Sequence, residues 1–221
     1  VSSLTDTPVI TMTKPKRPSR GKPHAGKSLP DRSQPVGLRI VGGTFRGRKL
    51  QYGGDPRVRP MKDRVREAVF NLVGPSVRGK QVLDLFAGTG ALALEAISRG
   101  AVGATLVECH YPTAKILREN LATLGVEGVC RVEVADTFHW LTQQPELPEA
   151  NWLVFISPPY DFYVSRTDDM VRLIETLHAT APPESVLVVE SDQRFDFTAL
   201  GQVCEWNVRD YPPARIGISR Q

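Results

Sequence analysis

The chain has 221 residues, 41% of them apolar and 24% charged, with a formal net charge of +4. It is long enough for one sizeable core, and no apolar run approaches the roughly 18 residues of a membrane span, which excludes a membrane-spanning helix. The three cysteines, Cys109, Cys130 and Cys204, lie far apart with no paired ligand spacing, which argues against a disulfide framework or a zinc cluster and for reduced, partly buried thiols.

Charge is unevenly placed. Residues 1–38 carry seven Lys/Arg against two Asp, residues 39–80 carry eleven against three acids, and the remainder carries ten against nineteen. A basic front beside an acidic body points to a polyanionic partner. The N-terminus has no apolar segment of the signal-peptide kind, so a cytoplasmic protein is expected.

Residues 1–37 read as a disordered basic arm: rich in proline, without hydrophobic period, and carrying the run KPKRPSRGKPHAGKS. Within it GKPHAGKS, Gly21 to Ser28, satisfies the phosphate-loop pattern letter for letter. That pattern works only between a buried strand and a helix, and KPKRPSR is not such a strand. A flexible arm is the expectation there. Residues 38–79 form a small basic module. LRIVGGTFRGRKLQ predicts two short strands around glycine turns, and the basic stretch DPRVRP leads into a helix over Met61–Leu72. Val65, Val69 and Leu72, joined by Ala68, make its apolar face, with Lys62, Arg64 and Arg66 around the rest.

From residue 80 to 221 short apolar strands alternate with helical stretches. QVLDLF, ATLVEC, GVCRVEV, NWLVFI and SVLVVE read as strands, and ALALEAISRG, AKILRENLATLG and residues 168–179 as helices. This βαβ rhythm predicts an α/β fold with a mostly parallel, Rossmann-like sheet and helices on both faces. VCEWNVRDYPPARIGIS reads as two more strands joined by a turn, an antiparallel C-terminal edge.

Three positions at carboxyl ends of successive strands stand out. DLFAGTG, Asp84 to Gly90, follows a strand and opens a helix, and Gly88 and Gly90 allow a tight turn with close backbone approach. Glu108 ends the next strand, 20 residues after Gly88, where an acid accepts hydrogen bonds from a ribose diol. Asp136 follows the third strand. Together they point to a nucleoside ligand. After the fourth strand comes SPPY, Ser157 to Tyr160: proline ends the strand, leaving carbonyls and an aromatic face for a flat substrate. His24, His110, His139 and His178 form no ligand set with the cysteines, and Trp140, Trp152 and Trp206 read as packing residues. No metal is expected.

DLFAGTG, VEC, ADTF and SPPY fall in the order of S-adenosylmethionine-dependent methyltransferases acting on exocyclic amino groups. RIVGGTFRGRKL, RPMKDRVREAVFNLVG and VLDLFAGTGALALEAISRGA closely resemble the bacterial small-subunit ribosomal RNA guanine-N2 methyltransferases, over roughly residues 38–190. The resemblance implies that Asp84, Phe86, Gly88 and Gly90 surround the methionine part of S-adenosylmethionine. It implies that Glu108, with Cys109 beside it, holds the ribose, and that Asp136 and Thr137 lie near the adenine. By the same resemblance Ser157, Pro158, Pro159 and Tyr160 would form the target-base site, where acceptors on the amino hydrogens would aim the nitrogen at the sulfonium methyl. Arg46, Arg48, Lys49, Arg57, Arg59, Lys62 and Arg64 are the RNA-facing candidates, the helix near Met61 covering the cleft. The implied partner is small-subunit ribosomal RNA or a partly assembled subunit, with a monomer as the default.

Two departures are visible. Such families most often carry Asp or Asn where this chain has Ser157, a shorter and uncharged acceptor expected to weaken that contact, although serine occurs there in some amino-methyltransferases. RDYPPARIG also lacks the usual glycine-containing ending after its tyrosine. Rival readings are an amino-methyltransferase acting on DNA adenine or a protein amide, against which the missing target-recognition insertion and the basic module argue, and a non-catalytic RNA-binding factor.

Overall fold

The computed structural model describes residues 37–55, 59–201 and 205–221. The arm expected over 1–37 (Gly37 excepted), its GKPHAGKS segment, Arg57 and Cys204 lie outside the described residues. Five parallel strands make the core: β1 (Gln81–Asp84), β2 (Gly103–Val107), β3 (Cys130–Glu133), β4 (Trp152–Ile156) and β5 (Val186–Ser191). A hairpin of β6 (Asn207–Tyr211) and β7 (Ala214–Arg220) completes a seven-stranded sheet in the order β3-β2-β1-β4-β5-β7-β6. β7 lies antiparallel between β5 and β6, the expected antiparallel edge.

Strand alternation sends side chains to two faces. Val82, Leu153, Phe155, Val186 and Val188 face one way and pack with helices α1 (Asp63–Val73) and α2 (Ala91–Ser98) and with Leu117 of α3 (Tyr111–Leu124). Leu83, Val154, Ile156, Leu187 and Val189 face the other and pack with Trp140 of α4 (Thr137–Thr142) and with α6 (Thr167–Thr180), which follows the one-turn α5 (Phe162–Ser165). Because both faces are covered, β4 and β5 are apolar almost without break and buried along their whole length. Right-handed crossovers explain the split: the strand order runs one way from β1 to β3 and the other way through β4 and β5, so their connecting helices fall on opposite faces. Among the described residues no helix is long and apolar enough to cross a membrane.

The two strands expected in residues 38–51 reduce to one bridge, Arg39 to Lys49. The segment is held instead by packing: Leu38, Ile40 and Leu50 are buried with Leu94, Leu121 and Leu124. Its turn is pressed on the end of α2, where Gly43 has φ of 75° and a Cβ there would lie 1.9 Å from the Ser98 carbonyl oxygen. Neither close approach nor dihedral tolerates another residue.

The helix predicted from Met61 is α1, and Val65, Val69, Phe70 and Val73 bury its apolar face. Arg66 corrects the sequence reading, for it is fully buried rather than on the outer face. Its guanidinium donates to the Met61 carbonyl at 3.0 Å, to Asp63 Oδ1 at 2.9 Å and to the Arg39 carbonyl, with Nε 3.6 Å from Glu95 Oε2. Glu95 on α2, also fully buried, accepts from the Val41 amide at 2.7 Å and from Arg99 Nε at 2.8 Å. A buried charge survives only when paired and hydrogen-bonded, so these contacts explain both residues and fix the front segment on α2.

Candidate active site

The strand order reverses between β1 and β4, and in open parallel sheets the crevice beyond the carboxyl ends at such a point receives the ligand. On the β1 side Asp84 is 1% exposed. Its Oδ2 accepts from the Ala93 amide at 3.3 Å, while Oδ1 has no partner among the described residues. Burial, with the negative charge of Glu108 added, pushes its pKa from the usual 3.8 up to about 7. A buried, unpartnered carboxylate oxygen is the kind of atom a cationic or hydrogen-bonding ligand satisfies. Gly88 and Gly90 have φ of 53° and 80°, and a Cβ on Gly90 would come 2.3 Å from Leu117 Cδ1. The loop therefore turns tightly against α3.

Glu108, just beyond β2, accepts from the Gly88 amide at 2.9 Å and from the His110 amide at 2.7 Å. It ties the glycine loop to the start of α3, and its remaining lone pairs can still accept hydroxyl donors. Cys109 is exposed, against the expectation of a partly buried thiol; Cys130 is intermediate. A further clip comes from Asn120 of α3, 1% exposed. Its side chain accepts from the Gln51 amide at 2.7 Å and donates to the carbonyls of Gln51 at 3.1 Å and Thr89 at 3.0 Å. Tyr52, Gly53 and Asp55 then run beside Thr89 and Thr113, around a small cavity of about 10 Å³.

Asp136 is exposed and caps α4 by accepting from the His139 amide at 3.0 Å. Thr137 is buried and donates its hydroxyl to the Leu85 carbonyl, fastening α4 to the loop after β1. Phe86, Phe138 and Phe162 meet in one cluster at ring separations of 6.0 to 6.2 Å, and the Arg166 guanidinium lies 3.8 Å over the Phe138 ring.

At the carboxyl end of β4, Ser157 and Tyr160 converge on Glu190, near the end of β5. The Ser157 hydroxyl donates to Glu190 Oε2 and the Tyr160 hydroxyl to Oε1 at 2.7 Å. Tyr163 donates to the Glu190 backbone carbonyl at 2.8 Å. Burial pushes the Glu190 carboxyl upward in pKa, opposed by the bonds from Ser157 and Tyr160. The Tyr160 phenol is pushed up by burial first and then by Glu190, so it stays protonated; the positive charge of Arg59 acts the other way. Pro158 is buried and Pro159 exposed.

The basic candidates separate. Arg59 is exposed and acts on Tyr160, and Lys62 and Arg64 are exposed at the start of α1. Arg48 donates to the Thr123 carbonyl at 2.8 Å, and Arg46 and Lys49 belong to the same segment at the far ends of α2 and α3. Glu190, Asn120 and the Arg66–Glu95 pair were missed from sequence. Glu190 carried a readable signal, an acid closing an apolar strand as Asp84 and Glu108 do. So did Asn120, a polar residue in the apolar row of Leu117, Leu121 and Leu124. Among the described residues no His, Cys, Asp and Glu group could hold a metal ion.

A sheet of this order with its cleft at the β1/β4 switch is the Rossmann-like architecture of methyltransferases. The family model described as "Conserved hypothetical protein 95" matches residues 38–212. Ribosomal RNA small subunit methyltransferase D of Escherichia coli strain K12 is 39% identical over 163 residues, 74% of this chain and 79% of that protein. Among solved structures, the putative methyltransferase yhhF from Escherichia coli matches with a TM-score of 0.70 at 32% identity, over 84% of this chain and 98% of that one. The T. thermophilus 16S rRNA N2 G1207 methyltransferase, solved with AdoMet and guanosine, shares the fold at a TM-score of 0.60 and 22% identity, over 76% of this chain and 45% of that one. The chain belongs to the family of the ribosomal RNA small subunit methyltransferases D.

Proposed function

We propose that the protein transfers the methyl group of S-adenosylmethionine to the exocyclic N2 amino group of a guanine in small-subunit ribosomal RNA. The observation that carries this reading is the placement of Ser157, Pro158, Pro159 and Tyr160 at the end of β4, the strand hydrogen-bonded to the one that ends in Asp84 and the glycine loop. Family membership and the basic residues of the front segment favour ribosomal RNA as the acceptor.

The residues present fit the cofactor. The unpartnered Asp84 Oδ1 suits a cationic group, so Asp84, Phe86, Gly88 and Gly90 hold the methionine part. Glu108 accepts from the ribose hydroxyls with Cys109 at its side, and Asp136 and Thr137 border the adenine. When bound, S-adenosylmethionine supplies a sulfonium methyl already activated for transfer. The chain's task is then positioning and electrostatics. A guanine amino group is a poor nucleophile because its lone pair is delocalised into the ring. Ser157 Oγ and the Pro158 carbonyl accept its hydrogens and aim the nitrogen, and Tyr160 offers a ring on which an extruded base stacks. Arg59, Lys62 and Arg64 contact phosphates beside the cleft, and the protein works in the cytoplasm.

The test is methyl transfer from labelled S-adenosylmethionine to small subunits lacking the modification, with nucleoside analysis of the product. Labelled N2-methylguanosine is expected. Cofactor binding without transfer to any RNA would replace the reading with that of an RNA-binding factor. Label on adenine would move the substrate.

A further inference from the structure

We propose that Glu190 is a positioning residue that makes Ser157 an obligate hydrogen-bond acceptor toward the target base, so that the site selects an exocyclic amino group over a ring carbonyl. The inference rests on the reading of the β4 end as the base site and adds a residue from the neighbouring strand.

A serine hydroxyl has one proton and two lone pairs, and in an open cleft it donates or accepts as the ligand demands. Here that freedom is removed. The Ser157 proton is directed at Glu190 Oε2, and the other carboxylate oxygen is engaged by Tyr160 at 2.7 Å. Ser157 Oγ then has only lone pairs left for the cleft. An amino group brings hydrogens to those lone pairs, whereas a carbonyl oxygen brings lone pairs of its own. Burial, the larger effect, raises the Glu190 pKa, and the two O–H bonds oppose it by favouring the ionised, acceptor-only form. A negative charge behind the hydroxyl strengthens it as an acceptor. The charge absent from position 157 is in this way supplied by β5.

The same geometry explains why serine suits this chain. An aspartate at 157 would bring a second carboxylate against Glu190 in a buried setting, where two like charges oppose each other's ionisation. Glu190 is only 9% exposed, and its backbone is anchored separately by Tyr163 and by pairing with Ile216 of β7. A side-chain substitution there leaves the strand in place.

The experiment compares the wild type with E190Q, S157D and the double variant S157D/E190Q, each checked for folding by circular dichroism. Two readouts are taken: kcat and KM on unmodified small subunits, and binding of guanosine against inosine, which lacks the amino group, by saturation-transfer NMR with S-adenosylhomocysteine present. E190Q is expected to lose tenfold or more in kcat with KM within twofold, and to lose the guanosine preference. S157D is expected to be impaired as well, and the double variant to regain at least tenfold over S157D. Wild-type kcat and wild-type guanosine preference in E190Q would overturn the proposal, as would a double variant no better than S157D. A wild type that transfers no methyl group to ribosomal RNA would sink the functional reading alone. The guanosine preference and its loss in E190Q would still decide the role of Glu190, and a wild type blind to the amino group would refute it.

Discussion

Arg66 of α1 and Glu95 of α2 are both fully buried and approach to 3.6 Å, Nε to Oε2. The same guanidinium reaches the Arg39 and Met61 carbonyls, so one side chain holds the front segment, α1 and α2 together. Arg66→Ala removes one of the two cations on the buried Glu95, Arg99 Nε remaining at 2.8 Å, and leaves the Arg39 and Met61 carbonyls without their donor; the expected loss is about 1–3 kcal/mol in urea unfolding. Arg66→Lys recovers little, because a point charge does not reproduce a fork of donors. A loss below ~1 kcal/mol would show that the pair does not hold the segment.

Asp84 predicts a pH dependence of defined sign. Its folded pKa, near 7, lies above the usual 3.8. The folded state therefore binds a proton that the unfolded state has released, and stability falls as pH rises from about 4 to about 7, by an amount on the order of a few kcal/mol. Asp84→Asn is expected to flatten that slope. A cationic cofactor favours the ionised form, so affinity for S-adenosylmethionine is expected to climb between pH 6 and 8 in the wild type and to stay level in Asp84→Asn. Calorimetric titration at several pH values measures it, and parallel profiles for the two proteins would rule the assignment out.

Asn120 is expected to matter for cofactor binding without touching the methyl group. Asn120→Leu removes both clips on Gln51 and the one on Thr89. Buried amide groups left unpaired cost about 1–3 kcal/mol each, so a drop in melting temperature should accompany a cofactor Kd weakened tenfold or more. Unchanged Kd in a destabilised variant would confine Asn120 to folding.

Arg59 and Arg48 should part company. Arg59, acting on Tyr160 at the mouth of the cleft, is expected to contact a phosphate: Arg59→Ala weakens RNA binding and reduces the salt slope by roughly one. Arg48 spends its charge on the Thr123 carbonyl. Arg48→Ala should leave the salt slope within error of the wild type. Equal slopes for both variants would contradict this division of the basic front.

The parallel sheet was legible because its strands are apolar runs of strand length separated by helical periods; α3, β4, β5 and α6 appear within a few residues of where the sequence puts them. Asp84, Glu108 and Asp136 were legible because position at a strand's carboxyl end is itself a signal. Arg66 was not. Charge on a helix reads as outward-facing unless its partner is known, and Glu95 sits on another helix 29 residues away, inside a stretch that reads as uniformly apolar. The one-turn α5 was invisible for a different reason: four residues carry no period. In the sequence Glu190 is only the acid that closes an apolar strand, and only the strand order, with β4 beside β5, brings it to Ser157.

The insertion of β7 between β5 and β6 has a consequence for how the molecule is made. As the chain is synthesised, β5 emerges before the strand that will cover it, and until β7 docks, the backbone from Val186 to Ser191 is a naked rim able to recruit foreign strands. Assembly of the hairpin both closes that aggregation hazard and sets the register Glu190↔Ile216. A chain released before β7 keeps that rim open and leaves β5 paired with β4 alone.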